Sequence, residues 1–285
     1  MIGSLMMPTR TVKWIFRLKF FNLNRFLDQH KTDLALVKET LCTTKKGRRV
    51  ELLRLGCLDG SPRHRVLLTA RHHACESLAS YALEGFMEAV LAEGEEGRLW
   101  RSAVECMVVP FVDKDGVEDG DQGKNRAPHD HNRDYGGASL HASVAALRER
   151  VPPWSQGRLR VALDLHCPYI RGDFNEQIYF VGSQDQENWQ RVVKLAALLE
   201  HTQTGPLRFR VQDNLPFGTA WNTTTNFGGG KSFAAWAGEL PGIRVASSIE
   251  LPYANVKGRE VNAESARAFG RDLARSILRQ ATAPE

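Results

Sequence analysis

From about Leu34 onward, short apolar runs alternate with stretches of helical spacing. Leu34–Leu41 and Arg49–Leu55 predict two strands around Thr43-Thr44-Lys45-Lys46-Gly47, a hairpin turn. Val66–Ala70 is a continuous apolar run, the pattern of a strand buried on both faces, and Val104–Val109 repeats it. Between them Ala79, Leu83, Phe86 and Val90 recur at helical spacing. Val161–Leu165, Gln177–Val181 and Ile243–Glu250 predict further strands, and Trp189–Leu199 a helix. Asn262 caps a last helix through Ala266, Phe269, Leu273 and Ile277. Strands alternating with helices predict an α/β fold: one mixed, mostly parallel central sheet covered by helices on both faces. Two long polar segments interrupt the pattern, Asp113–Gly137 and Asn214–Gly242, and structureless stretches of that length inside a domain are usually functional.

At 285 residues the chain accommodates one large domain with a short appendage. Its net charge of +5 is unevenly placed: residues 1–50 hold eleven Lys/Arg against three Asp/Glu, leaving the remainder net acidic. The expected division is therefore a basic extension over residues 1–32 and a catalytic domain over 33–285. Basicity confined to the extension is no argument for a nucleic-acid partner. Met1–Phe21 mixes Arg10, Lys13, Arg17 and Lys19 into its apolar residues, so neither a secretion signal nor a membrane span is expected there. The five cysteines, Cys42, Cys57, Cys75, Cys106 and Cys167, show no paired metal-type spacing; free thiols in a cytoplasmic protein are expected.

Candidate chemistry falls where an α/β sheet presents it, at the carboxyl ends of strands. His73 and Glu76 follow the Val66–Ala70 strand, three residues apart, and both side chains suit zinc. Asp164 and His166 alternate with Leu163 and Leu165, placing the polar pair on one face of its strand. Asp130-His131-Asn132-Arg133 lies in the first long segment with Arg126 just before it, and arginine forks match carboxylates. Glu250 follows Val245-Ala246-Ser247-Ser248-Ile249 and is out of character for a buried strand unless it faces a site, a placement suited to a general base. Asp113–Asp121 superficially suggests a calcium loop but fails the EF-hand pattern at Val117.

In this order the motifs resemble those of the zinc metallocarboxypeptidases, in particular the cytosolic-carboxypeptidase-like branch, from about Gly47 to Ile277. His73-Ala74-Cys75-Glu76 is similar to the family's first metal motif, with Ala74-Cys75 where the branch usually has Pro-Gly. Asp115-Gly116-Val117-Glu118-Asp119-Gly120, Asn132-Arg133, Asp164-Leu165-His166 and Ile249-Glu250 resemble its later motifs. The resemblance implies a metallopeptidase that removes a C-terminal residue from a peptide. His73, Glu76 and His166 would hold zinc, Glu250 would act as base, and Arg126 would steady the oxyanion. Asn132 and Arg133 would grip the terminal carboxylate, and Asp130 would orient His73. Lys231, in the second long segment, would favour an acidic C-terminal residue. The same metal set also serves N-acyl amino acid deacylases, so peptide and acylated amino-acid substrates both remain open, as does an inactive binding module. The tyrosine that many members carry in the loop before the base is missing from Asn226–Phe233, and Tyr253 is its candidate substitute. Only about thirty residues precede the first strand, too few for the branch's usual β-sandwich domain.

Overall fold

The computed structural model describes residues 23–228 and 230–283. The expectations for Met1–Phe21 lie outside the described residues. The described residues divide into two units between Asp33 and Leu34. In the first, residues 23–29 form a helix, α1.

The second unit is built on a seven-stranded sheet of order β1-β2-β4-β3-β5-β7-β6. Its strands are β1 (Leu36–Thr43), β2 (Arg49–Gly56), β3 (His64–Ala70), β4 (Val104–Val109), β5 (Leu159–His166), β6 (Tyr179–Phe180) and β7 (Val245–Glu250). The four central strands run parallel, while β1, β2 and β6 join the edges antiparallel. The parallel strands are the continuous apolar runs of the sequence, because helices cover both of their faces. A small β8–β9 hairpin (Asn255–Val256, Arg259–Glu260) stands apart from the sheet.

On one face, α5 (Ala142–Ser155) and α7 (Phe233–Ala237) close a core containing Leu67, Met107, Ala162, Val144, Leu147, Phe233 and Ala246. Against the other face pack α2 (Ser77–Leu91), α6 (Gln186–Thr202) and α8 (Ala263–Thr282), with α3 (Glu95–Ala103) alongside. The four residues that predicted α2, Ala79, Leu83, Phe86 and Val90, are all buried. The expected Asn262 cap is present as a full capping box with Ser265, which satisfies orphan amides at the start of α8. Helices α2 and α8 touch backbone to backbone: a Cβ on Gly85 would lie 2.0 Å from Arg267 O, and one on Gly270 1.9 Å from Ala82 O.

The two long polar segments are not structureless. Within the first, Lys114–Asp119 forms α4, capped by Asp113 Oδ1, which accepts from Gly116 N at 2.9 Å. The aspartate that suggested a calcium loop is thus a helix cap. A second correction concerns Gln177–Val181, of which only Tyr179–Phe180 pairs as a strand.

Candidate metal centre

The carboxyl ends of β3, β5 and β7 meet at one spot, and the chain beyond β3 bends sharply there. Arg71 adopts φ 61°, a left-handed conformation costly for a residue with a side chain. Its buried guanidinium donates from Nε to Ala74 O at 3.0 Å, holding the turn closed. The bend sends two consecutive imidazoles in different directions. His72 goes inward, with Nδ1 on Asp164 Oδ1 at 2.8 Å and Nε2 on Tyr135 OH at 2.7 Å. His73 goes outward to Glu76, with Nδ1 on Oε1 at 2.9 Å.

His166 completes the group from the end of β5. Its Nδ1 meets Glu76 Oε2 at 2.8 Å, and its Nε2 meets the Asp164 carboxylate. The Nε2 of His73 points to Asp130 Oδ2 at 3.4 Å. Both imidazoles therefore present Nδ1 to Glu76 and keep Nε2 against a second carboxylate, an arrangement that fixes ring orientation and raises ligand basicity. The ligand atoms of His73, Glu76 and His166 lie within 4.8 Å of one another. Glu250 sits beside His166 in the parallel register of β5 and β7, and its Oε2 is buried without a hydrogen-bond partner.

Burial would lower the His73 and His166 imidazoles, but the carboxylates of Glu76, Asp130 and Asp164 raise both above their ordinary range, so the group favours positive charge. Burial would raise the Glu76 carboxyl, but His73 and His166 hold it well below its ordinary range. Burial raises Glu250 above its ordinary value, and Glu76 adds to that. An imidazole–imidazole–carboxylate donor set suits zinc, and the unpartnered Oε2 faces a polar site rather than a packed core.

Among the described residues, two other groups have comparable spacing. In His72–Asp164–His166, Asp164 is filled by His72, His166 and Thr69 Oγ1, the last at 2.8 Å, which makes it the support of the first group. In His129–Asp134–His141, Asp134 already accepts from Leu140 N at 2.9 Å, His141 N at 2.8 Å and His129 Nε2 at 2.8 Å.

The remaining expected residues fall differently. Asn132 is turned inward: Oδ1 accepts from Phe233 N at 2.8 Å, and Nδ2 stands 3.1 Å from His166 Nε2. Arg133 donates to Asn132 O at 2.9 Å, at the end of the short His131–Arg133 turn. Arg126 pairs with Asp113 and with Asp121, the latter at 3.2 Å. The Lys231 ammonium pairs with Glu239. The backbone of Lys231 forms a parallel bridge to Asp134, with Lys231 N to Arg133 O at 3.2 Å and Tyr135 N to Lys231 O at 3.0 Å. The hydroxyl of Tyr253 contacts Cys75 Sγ at 3.3 Å.

The cation that does reach the group is Lys124, which the sequence did not single out. Its Nζ lies 2.8 Å from Glu76 Oε1, donates to Cys167 O at 2.6 Å and sits 4.7 Å above the Tyr169 ring. No run or spacing marks this lysine; only the docking of its loop does.

All five cysteines are unpaired, and among the described residues no helix is long and apolar enough to cross a membrane. No family model matches the chain. Over 123 residues, 41% of this chain, it is 31% identical to cytosolic carboxypeptidase 3 of Mus musculus, and the match spans only 12% of the mouse protein. A metallo-carboxypeptidase from Burkholderia cenocepacia superposes with a TM-score of 0.72 at 20% identity, covering 91% of this chain and 68% of that one. A metallo-carboxypeptidase from Pseudomonas aeruginosa, solved with (2-guanidinoethylmercapto)succinic acid, gives 0.69 at 17% identity, covering 90% and 68%. At those identities the structural likeness is one of fold.

Proposed function

For a chain that is carboxypeptidase-like in sequence and in fold, we propose a zinc-dependent hydrolase that removes the C-terminal residue of a peptide. The observation that carries this reading is the pair of imidazoles with Nδ1 on Glu76, facing Glu250 with its unpartnered Oε2. His73, Glu76 and His166 would hold the metal, which supplies Lewis acidity toward a water and toward the scissile carbonyl.

The chain's own groups supply the rest. Glu250 takes the proton of the attacking water at Oε2 and returns it to the departing amine. Arg133, at the tip of its turn, pairs with the substrate's terminal carboxylate. Asn132 is anchored by its Oδ1 on Phe233 N, and its Nδ2 is left to share that contact. Asp130 and Asp164 fix the two imidazoles. The name of the mouse relative and the free thiols support a cytoplasmic setting.

The test is metal analysis of the purified chain, followed by mass spectrometry of a peptide library incubated with it. One zinc per chain and loss of single C-terminal residues are expected. Glu250→Gln should keep the metal and lose turnover by several orders of magnitude. Cleavage of acylated amino acids alone would move the reading to a deacylase. Neither reaction, with zinc bound, would leave a binding module.

A further inference from the structure

We infer that Lys124 is the catalytic cation of this site, meeting the oxyanion formed when water adds to the scissile carbonyl. The inference rests on the hydrolase reading above and assigns to Lys124 the role first expected of Arg126.

Geometry separates the two residues. Arg126 is held by Asp113, the cap of α4, and by Asp121, carboxylates of its own loop and not of the His73–Glu76–His166 group. Lys124, two residues earlier, turns the other way, its side chain only 9% exposed. The turn is built rather than incidental. Gln122 O accepts from Cys75 N at 3.1 Å, tying the loop to the segment between His73 and Glu76. Gly123 follows with φ 89°, and a Cβ there would lie 2.5 Å from Ala74 N, so only glycine brings the loop this close. The next residue is delivered directly to Glu76.

A buried ammonium is costly to keep, and here carboxylates keep it. The Nζ of Lys124 is held 2.8 Å from Glu76 Oε1 and 2.6 Å from Cys167 O. Lys124 is thus fixed in direct contact with the candidate ligand. Such a preorganised donor acts on charge as it develops, without reorganising at the moment of reaction.

The step balances as follows. The water oxygen bonds to the carbonyl carbon as its proton passes to Glu250, and the carbonyl π pair moves onto oxygen. An N–H of Lys124 donates to that oxygen. On collapse the pair reforms C=O, the C–N bond breaks, and the proton on Glu250 goes to the amine. Lys124 stays protonated throughout.

The rival role for Lys124 is a structural one, neutralising Glu76. To separate the two, Lys124→Met, Lys124→Arg and Arg126→Met are compared with the unmodified zinc-loaded chain. Three readouts apply: kcat and KM on a cleaved peptide, zinc per chain, and affinity for a peptide phosphonate, which carries a tetrahedral anion. Lys124→Met should lower kcat about 10²–10³-fold, the loss typical of one oxyanion donor. Its KM should be little changed, its zinc intact, and its phosphonate affinity reduced by a comparable factor. Lys124→Arg should recover at least about tenfold of kcat, since the charge and a donor return. Full kcat and phosphonate affinity in Lys124→Met overturn the inference. So does loss of zinc in that variant with KM and kcat falling together, and so does a loss confined to Arg126→Met. A wild-type chain that releases no residue from any peptide sinks the hydrolase reading instead. Phosphonate binding then reports on the contact alone: weaker in Lys124→Met keeps Lys124 as a donor to a tetrahedral anion, and unchanged overturns that as well.

Discussion

Asp164 stands behind His166 on one face of β5, its carboxylate at the imidazole Nε2 while Glu76 Oε2 holds Nδ1 at 2.8 Å. A carboxylate in that position orients the ring and leaves Nδ1 as the donor to a metal. Asp164→Asn should therefore weaken zinc binding roughly 10–100-fold, the usual loss for a group that supports a ligand. His73→Ala and His166→Ala should each abolish tight retention. Competition with a chelator measures all three, and wild-type affinity in Asp164→Asn would remove the supporting role.

Arg133 decides between removal of a terminal residue and internal cleavage. If its guanidinium pairs with a free carboxylate of the substrate, amidating the substrate removes that one charged interaction. The loss is about 1.5–3 kcal/mol, roughly ten- to a hundredfold in rate. Arg133→Ala should slow the free-acid peptide by a similar factor and add little for the amide, because both changes delete one interaction. Equal cleavage of amide and acid by the unmodified enzyme would rule out the carboxypeptidase reading.

The pH profile reports on Glu250. Burial raises its carboxyl; His166 lowers it, Glu76 raises it, and Lys124 lowers it. A base works only when ionised, so kcat/KM should fall as pH drops through a value above the ordinary glutamate range. In Lys124→Met one lowering charge is gone, and the acid limb of the residual activity should move to higher pH. Coincident acid limbs in the two proteins would show that Lys124 does not act on Glu250.

Stability has its own test away from the site. Gly85 and Gly270 let α2 and α8 touch backbone to backbone. Gly85→Ala must push Arg267 away, at a cost on the order of 1–3 kcal/mol, despite alanine's better helix propensity. Denaturant unfolding would show it, and an unchanged midpoint would contradict the packing.

The sheet and the meeting of His73, Glu76 and His166 were legible in the sequence for one reason: each rests on a local pattern. Val104–Val109 is a buried run and became β4 with those bounds, and alternation in Asp164-Leu165-His166 placed its polar pair on one face. What escaped depends on distant contacts. Lys124 reaches Glu76 only because Gly123 docks on Ala74, and Arg126 is diverted only because Asp113 caps a helix hidden in a polar segment. That helix, Lys114–Asp119, contains a glycine and lacks apolar periodicity, so the stretch looked like loop. Lys231 carried a charge to the expected loop, but Glu239 stands close enough to hold it.

The bridge between Asp134 and Lys231, with Phe233 N on Asn132 Oδ1, fastens the two long polar segments to each other where they meet Arg133. Both segments are thereby fastened to the start of α7 at Phe233. Residues 214–228 lie outside that seam and are held instead at Leu215 and Asn222, both bonded to Gly182. The seam at Arg133 and the stretch before it are thus fixed by separate contacts, and a substitution in one need not disturb the other.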